Sequence, residues 1–528
     1  MNSKKIASIS LSLLAGSHFI QAADNDRPNI IFIMSDDHTS QAISAYNGML
    51  KDILPTPNID RIGNEGVRLE NCFVTNSIST PSRACILTGQ YSHKNGVYTL
   101  LDNLNRNLPN VAKYLQQSGY QTAIIGKWHL GTEPSGFDYY NVLPGQGEYY
   151  NPKMIKIGDW GVCANNTNKE TTYRGHSTDI IGKEAIDYLD RIDKKKPFFL
   201  MCHFKAPHRP WRPAARFKDL LKDVTIPEPE NMYETYENKG EYAKVIRTGM
   251  EIMNRNDLKG DMPPAGATRD EKRKKNYQIY NKDYQRCVAG VDENVGHLLQ
   301  YLDEHNLTEN TIVIYTGDQG FFLGEHGWFD KRLMMEESLR MPFLIRYPKE
   351  IPAGKTNQDI VLNIDFAPLF LDYAGIKIPS QMQGKSFRKN LKGETPSDWR
   401  KEIYYRYWMH ADDAHNVCSH YGIRTERYKL IYFYGQRLGM TGTHEKHHTP
   451  EWELYDLQND PTEMNNIYKD PSQAELIKEL KNKLVALKEK EDELQVDADK
   501  LQDPGYIARY AREKYSYSKD GEIILRIP

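Results

Sequence analysis

Ser79-Thr80-Pro81-Ser82-Arg83, running on to Leu87-Thr88-Gly89, places two hydroxyls and a guanidinium at helical spacing. Thr80 is suited to N-cap a helix whose first position is Pro81, and Gly89 stands where a helix end favours positive φ. The Ser79 hydroxyl would then lie at the positive end of a helix dipole, where anions bind. Alone, the stretch would equally suit a capped surface helix. Four β-rich apolar runs supply candidate partners. Asn29–Met34 ends in Ser35-Asp36-Asp37, and Gln121–Ile125 in Gly126-Lys127-Trp128-His129. Phe198–Met201 is followed shortly by Lys205-Ala206-Pro207-His208, and Thr311–Tyr315 by Thr316-Gly317-Asp318-Gln319. Ligands of open α/β sheets sit at the carboxyl ends of strands, so the four tails are expected to meet at one site.

The elements that must position these tails follow from the same pattern. Short, continuous apolar runs are the mark of buried parallel strands. Helices are predicted over 111–117, 179–190 and 280–305, with a polar, irregular excursion over 233–275. Together they specify an α/β fold, a large and mostly parallel sheet flanked by helices, over residues 27–390. A Gly/Pro/Lys-rich linker at 379–396 leads to a smaller C-terminal α+β domain over 391–528, with strands in 401–434 and a charge-laced helix over 472–495. The 528 residues suffice for both units.

Composition narrows the partners. A formal charge of −2 gives no support for nucleic-acid binding, so an anionic ligand needs a local cluster of basic groups. The six cysteines are scattered without zinc-like spacing. Lys4 and Lys5, a short apolar stretch and Ala22-Ala23 read as a signal peptide over 1–22, implying export, most simply to the periplasm. No segment reaches the length of a membrane span.

The run S-x-P-S-R-x-x-x-L-T-G at 79–89 resembles the motif by which type I sulfatases of the alkaline phosphatase superfamily make formylglycine, an aldehyde nucleophile, from Cys or Ser. Gly126-Lys127-Trp128-His129-Leu130-Gly131, Lys331 five residues before Glu336, and Leu454-Tyr455-Asp456-Leu457 also match that family's order. The resemblance implies a calcium ion held by Asp36, Asp37, Asp318, Gln319 and the formylglycine made from Ser79. Gln319 departs from the usual Asn but offers the same amide oxygen, and an all-oxygen ligand set suits a hard cation. It further implies a basic pocket of Arg83, Lys127, His129, His208 and Lys331. Hydrated formylglycine would attack sulfur, His208 would protonate the departing sugar oxygen, and His129 would take the proton whose loss expels sulfate. A Ser rather than a Cys at 79 implies a bacterial, anaerobic-type sulfatase-maturation enzyme.

The stretches Asp36–Ala42 and Asp318–Gly327 look like the branch containing N-acetylglucosamine-6-sulfatases. The expected substrate is therefore a sulfated glycan, heparan- or mucin-type, that loses a 6-O-sulfate. Residues Trp408-Met409-His410, His415 and His420 are placed to read sugar hydroxyls or to form an ordinary surface loop. Three alternatives stand beside this reading. They are another sulfated sugar, a phosphodiesterase or phosphonate hydrolase of the same superfamily, and a glycan-binding relative without catalysis.

Overall fold

Four strands carry the site: β1 (Asn29–Ser35), β2 (Gln121–Lys127), β3 (Phe198–Phe204) and β4 (Thr311–Gly317). The computed structural model describes residues 27–500, so the expected signal peptide and the end of the expected C-terminal domain, 501–528, lie outside the described residues. In the ten-stranded sheet the four run side by side as β4-β1-β3-β2, all parallel. Tyr139–Leu143 adds a fifth parallel strand beside β2. Antiparallel pairing is confined to the flanks, where Phe343–Arg346 joins β4 and Lys153–Lys156 joins Tyr139–Leu143. The sheet is mixed overall and parallel where its tails do chemistry.

Strand alternation builds the two sides of the core. In β1, Ile30, Phe32 and Met34 enter one hydrophobic layer, while Ile31 and Ile33 enter the other. Such period-2 sorting is what the pleat demands when both faces are covered. One layer is capped by α1 (Ser79–Thr88), α2 (Val111–Gln117) and α5 (Phe366–Tyr373). The other packs under α3 (Ser177–Arg191) and α4 (Arg269–Glu304). Helix α4 starts eleven residues before the expected 280. Thr268 and Glu271 close a capping box there, so local hydrogen bonding fixes a start that the polar sequence conceals.

The C-terminal strands β5 (Glu402–Tyr407), β6 (His420–Thr425), β7 (Tyr428–Phe433) and β8 (Glu451–Asp456) form one antiparallel sheet. One face, with Ile423, Leu430 and Leu454, is covered by Leu480 and Leu484 of α6 (Ala474–Lys500). The other, with Tyr405, Tyr407 and Phe433, joins the large core directly. The smaller sheet is thus packed onto the larger unit. The expected linker holds a short helix, Arg388–Leu391, and Gln383 N donates to Gly89 O at the end of α1.

Strand β2 contains one sharp constraint. Gly126 has φ +99°, and a Cβ there would come within 2.0 Å of the His203 carbonyl oxygen. Only glycine lets β2 approach β3 closely enough to deliver Lys127 to the sheet edge. Gly126→Ala is expected to cost about 3 kcal/mol or more of stability. The check is the urea midpoint beside that of Gly145→Ala, whose added Cβ meets nothing within 4 Å.

Candidate active site

Helix α1 explains the spacing of its motif. It begins at Ser79, with Ile78 in extended backbone as its N-cap, rather than at Pro81 behind a Thr80 cap. Ser79, Ser82 and Arg83 therefore stand at i, i+3 and i+4 on one face. Ser79 Oγ donates to Asp36 Oδ1 at 3.1 Å, and Ser82 Oγ donates to the Asp318 carbonyl. Arg83 forks onto Asp318 Oδ2 through Nε at 3.1 Å and Nη2 at 3.0 Å. All ten residues of the helix are buried, and Gly89 ends it at φ +67°.

The strand tails meet this face. Asp36, Asp37 and Asp318 are fully buried, with one carboxylate oxygen from each within 4.8 Å of the others. Lys127 Nζ pairs with Asp36 Oδ2 and donates to Gln146 Oε1 at 2.6 Å. Lys331 Nζ donates to both Asp37 oxygens, at 2.5 and 2.7 Å. The amide nitrogen of Gln319 donates to Asp37 Oδ1, leaving its buried Oε1 without a hydrogen-bond partner. His208 gives its Nδ1–H to Arg209 O at 2.7 Å and turns Nε2 to within 3.8 Å of Asp37 Oδ2. His129 reaches Thr80 Oγ1 with Nδ1 at 3.5 Å. Every residue expected at the site is thus brought to one edge.

Electrostatics here are those of a dry, crowded pocket. Burial would raise Asp36, yet Lys127, His208 and Arg83 together hold it well below the usual carboxylate range. Burial pushes Asp37 up to about 7, with Lys331 opposing and Asp36 and Asp318 adding to the rise. Asp318 is raised by burial and then by Asp36. Burial lowers Lys127, and it drives His129 and His208 well below the ordinary imidazole value, keeping both neutral. Three buried carboxylates and an orphaned amide oxygen make a donor set that fits a hard divalent cation.

Several neighbours went unassigned in the sequence. Lys205, in the tail of β3, is buried, donates to Gln146 O at 3.1 Å, and is lowered by burial to about 8. Asp330 and Arg332 flank Lys331 and meet His415 Nε2 at 3.0 and 3.2 Å. His415 in turn pairs with Asp412 at 2.6 Å. His410 instead bonds Ser419 N and Lys446 O, and His420 lies among Tyr405, Tyr407 and Phe433. Position beside Lys331 was the available signal for Asp330 and Arg332. His415, one of the loop histidines considered for sugar hydroxyls, is the one that arrives beside Lys331, from the connection between β5 and β6.

A sheltered hydroxyl at a helix start, facing carboxylates and fixed cations, suits hydrolysis of an anionic ester. The sulfatase family profile matches residues 28–376, and the chain belongs to that family. It is a sulfuric ester hydrolase. The profile for the C-terminal part of N-sulphoglucosamine sulphohydrolase matches residues 324–490, and that of the septum formation initiator family matches 464–528. The chain is 43% identical over 520 residues to an N-acetylglucosamine-6-O-sulfatase of Bacteroides thetaiotaomicron, covering 90% of this chain and 88% of the relative. It is 28% identical to human N-acetylglucosamine-6-sulfatase, over 73% of this chain and 68% of the relative. A solved structure of BT4656 with its substrate D-glucosamine-2-N,6-O-disulfate superposes with a TM-score of 0.80 at 42% identity, covering 88% of this chain and 98% of that one.

A cation held by this donor set would relieve the carboxylate crowding, so calcium at a hundred times its dissociation constant is expected to add about 2.7 kcal/mol. The melting temperature should rise by several degrees, and Gln319→Leu, which removes the free amide oxygen, should shrink that rise. Differential scanning calorimetry with and without chelator reads it. No shift with calcium or magnesium at millimolar concentration would count against a resident ion.

Proposed function

We propose that this chain removes 6-O-sulfate from N-acetylglucosamine units of host-type glycans, through formylglycine made from Ser79 and one calcium ion. The observation that carries the reading is Ser79 Oγ, 3.1 Å from Asp36, at the start of a buried helix ringed by Arg83, Lys127 and Lys331. Identity of 43% to an N-acetylglucosamine-6-O-sulfatase supports the choice of sugar. The division into a catalytic domain over 27–390 and a smaller domain over 391–528, and an exported, periplasmic location, belong to the same proposal.

Asp36, Asp37, Asp318 and Gln319 Oε1 would hold the calcium, which when bound neutralises their charge and polarises the oxygens it touches. Formylglycine supplies a hydrated aldehyde, with one hydroxyl to attack sulfur and one whose deprotonation drives release. The remaining work falls to this chain's own residues. Arg83, Lys127 and Lys331 are fixed in advance where an anion's charge must be met, so little reorganisation is needed on binding. His208, its ring set by the Arg209 carbonyl, would act through Nε2: neutral in the resting site, it takes up a proton there as the anionic substrate binds and gives it to the leaving sugar oxygen. His129, neutral in its buried setting, can accept the proton lost at position 79. Asp330, Arg332 and His415 stand beside Lys331, where they would engage the hydroxyls of the sugar.

The test is sulfate release from a panel of sulfated monosaccharides, using protein whose residue-79 peptide mass shows formylglycine. Release from 6-sulfated N-acetylglucosamine, abolished by Ser79→Ala, is expected. Release from a different sugar alone overturns the substrate, and cleavage of phosphate esters in place of sulfate esters overturns the class. For His208→Ala, a fall of roughly 10²–10⁴-fold on the sugar sulfate is expected. The loss should be much smaller on an aryl sulfate, whose leaving group needs no proton. Equal losses on both substrates would remove His208 from the acid role.

A further inference from the structure

The loop that carries His208 also walls a second, open pocket of about 960 Å³, bordered by Tyr150, Arg212, Lys218, Arg255, Lys259 and Asp283. Its charge is one-sided. The single carboxylate among the lining residues, Asp283, is taken up by Arg286 at 2.8 Å and Lys259 at 3.4 Å. Lys259 Nζ also donates to the Pro210 carbonyl at 2.6 Å, which ties this wall to the His208 loop. The Arg212 guanidinium donates to the Asn256 amide oxygen, at 2.9 Å, and meets no carboxylate among the described residues. Among the described residues, Lys218 and Arg255 have no carboxylate within ion-pair distance. In a chain of formal charge −2, three cations without acidic partners on one pocket are a local departure from the average.

The pocket also has a flat apolar wall. Tyr150 is 44% exposed, and its ring is held by a hydrogen bond from its hydroxyl to Pro213 O at 2.7 Å and by an edge contact with His176 at 5.1 Å. An immobilised aromatic face beside unpaired guanidinium and ammonium groups suits a sugar ring that carries an acidic substituent. Arg212 lies four positions after His208, a span of at most about 14 Å, so a neighbouring unit of a bound chain can reach it.

We infer that this pocket binds an acidic group, carboxylate or sulfate, on a sugar next to the one being desulfated, and so selects a polyanionic glycan over a neutral, mucin-type one. The inference rests on the carbohydrate sulfatase reading above and specifies its substrate class. A neutral chain has nothing to offer Arg212, Lys218 and Arg255, whereas a chain with an acid in each disaccharide fills the pocket as its neighbouring unit enters the active site.

The experiment compares kcat/KM on 6-sulfated N-acetylglucosamine with that on two 6-sulfated oligosaccharides, one whose neighbouring uronate bears its carboxylate only and one whose neighbouring uronate is also O-sulfated. The proteins are the wild type, Lys218→Ala/Arg255→Ala and the charge-keeping Lys218→Arg/Arg255→Lys. The ratio of oligosaccharide to monosaccharide kcat/KM is expected to fall about ten-fold in the alanine pair and to be retained in the charge-keeping pair. A fall on the substrate with the unsulfated uronate identifies the carboxylate as the bound group, and a fall confined to the O-sulfated one identifies the sulfate. An unchanged ratio, with monosaccharide activity intact, overturns the pocket's role and leaves the sulfatase reading standing. Absence of monosaccharide and oligosaccharide turnover by formylglycine-bearing wild type would sink both.

Discussion

Three carboxylates forced together without water are the constraint on which the rest of this molecule depends. Two like charges about 4 Å apart repel by about 4 kcal/mol even at an effective dielectric near 20, and burial adds a desolvation cost for each. Asp36, Asp37 and Asp318 therefore need fixed cations on every side, and the fold supplies one from each direction. Arg83 comes from helix α1, Lys127 from the end of β2, and Lys331 from the chain beyond β4. Removal of any one leaves a buried charge uncompensated, so the architecture and the site stand or fall together.

Holding that cluster distorts the backbone around it. Asp37, His129, Asp330 and Arg332 all have positive φ, between 54° and 94°, and none is glycine. Such conformations persist only where surrounding contacts over-determine them. Asp37 shows how. Its carbonyl accepts from the Tyr284 hydroxyl at 2.6 Å, and its amide donates to Asp318 at 3.0 Å, so strand tail, long helix and partner carboxylate all fix one peptide. The unstrained parallel strands beneath act as the anvil.

Much of this was legible in the chain itself. The apolar runs at Ile30, Ile124, Phe199 and Ile312 mark the four central strands because a doubly covered strand must be apolar throughout. Their polar tails reveal the site because a parallel sheet points all its carboxyl ends one way. The start of α1 was misread because the expected Thr80 cap gives way to Ile78, whose extended backbone is set by tertiary packing and not by a side-chain cap. Which of His410, His415 and His420 reaches the site, and the asymmetry of the Gln319 amide, were not legible for another reason. Each depends on a neighbour distant in sequence, His415 on Asp330 and Gln319 on Asp37, and no local propensity encodes such a meeting.

The complete burial of helix α1 sets an order of events in the life of the chain. A small ester can slip an anionic group down to Ser79, but another enzyme's active site cannot, because it must grip several residues of extended backbone at once. All ten residues of this helix are buried, so none can be offered up in that way. Any enzymatic conversion of Ser79 therefore belongs to the interval between synthesis and folding. If activity needs that conversion, a chain that folds first has closed the door on its own activation.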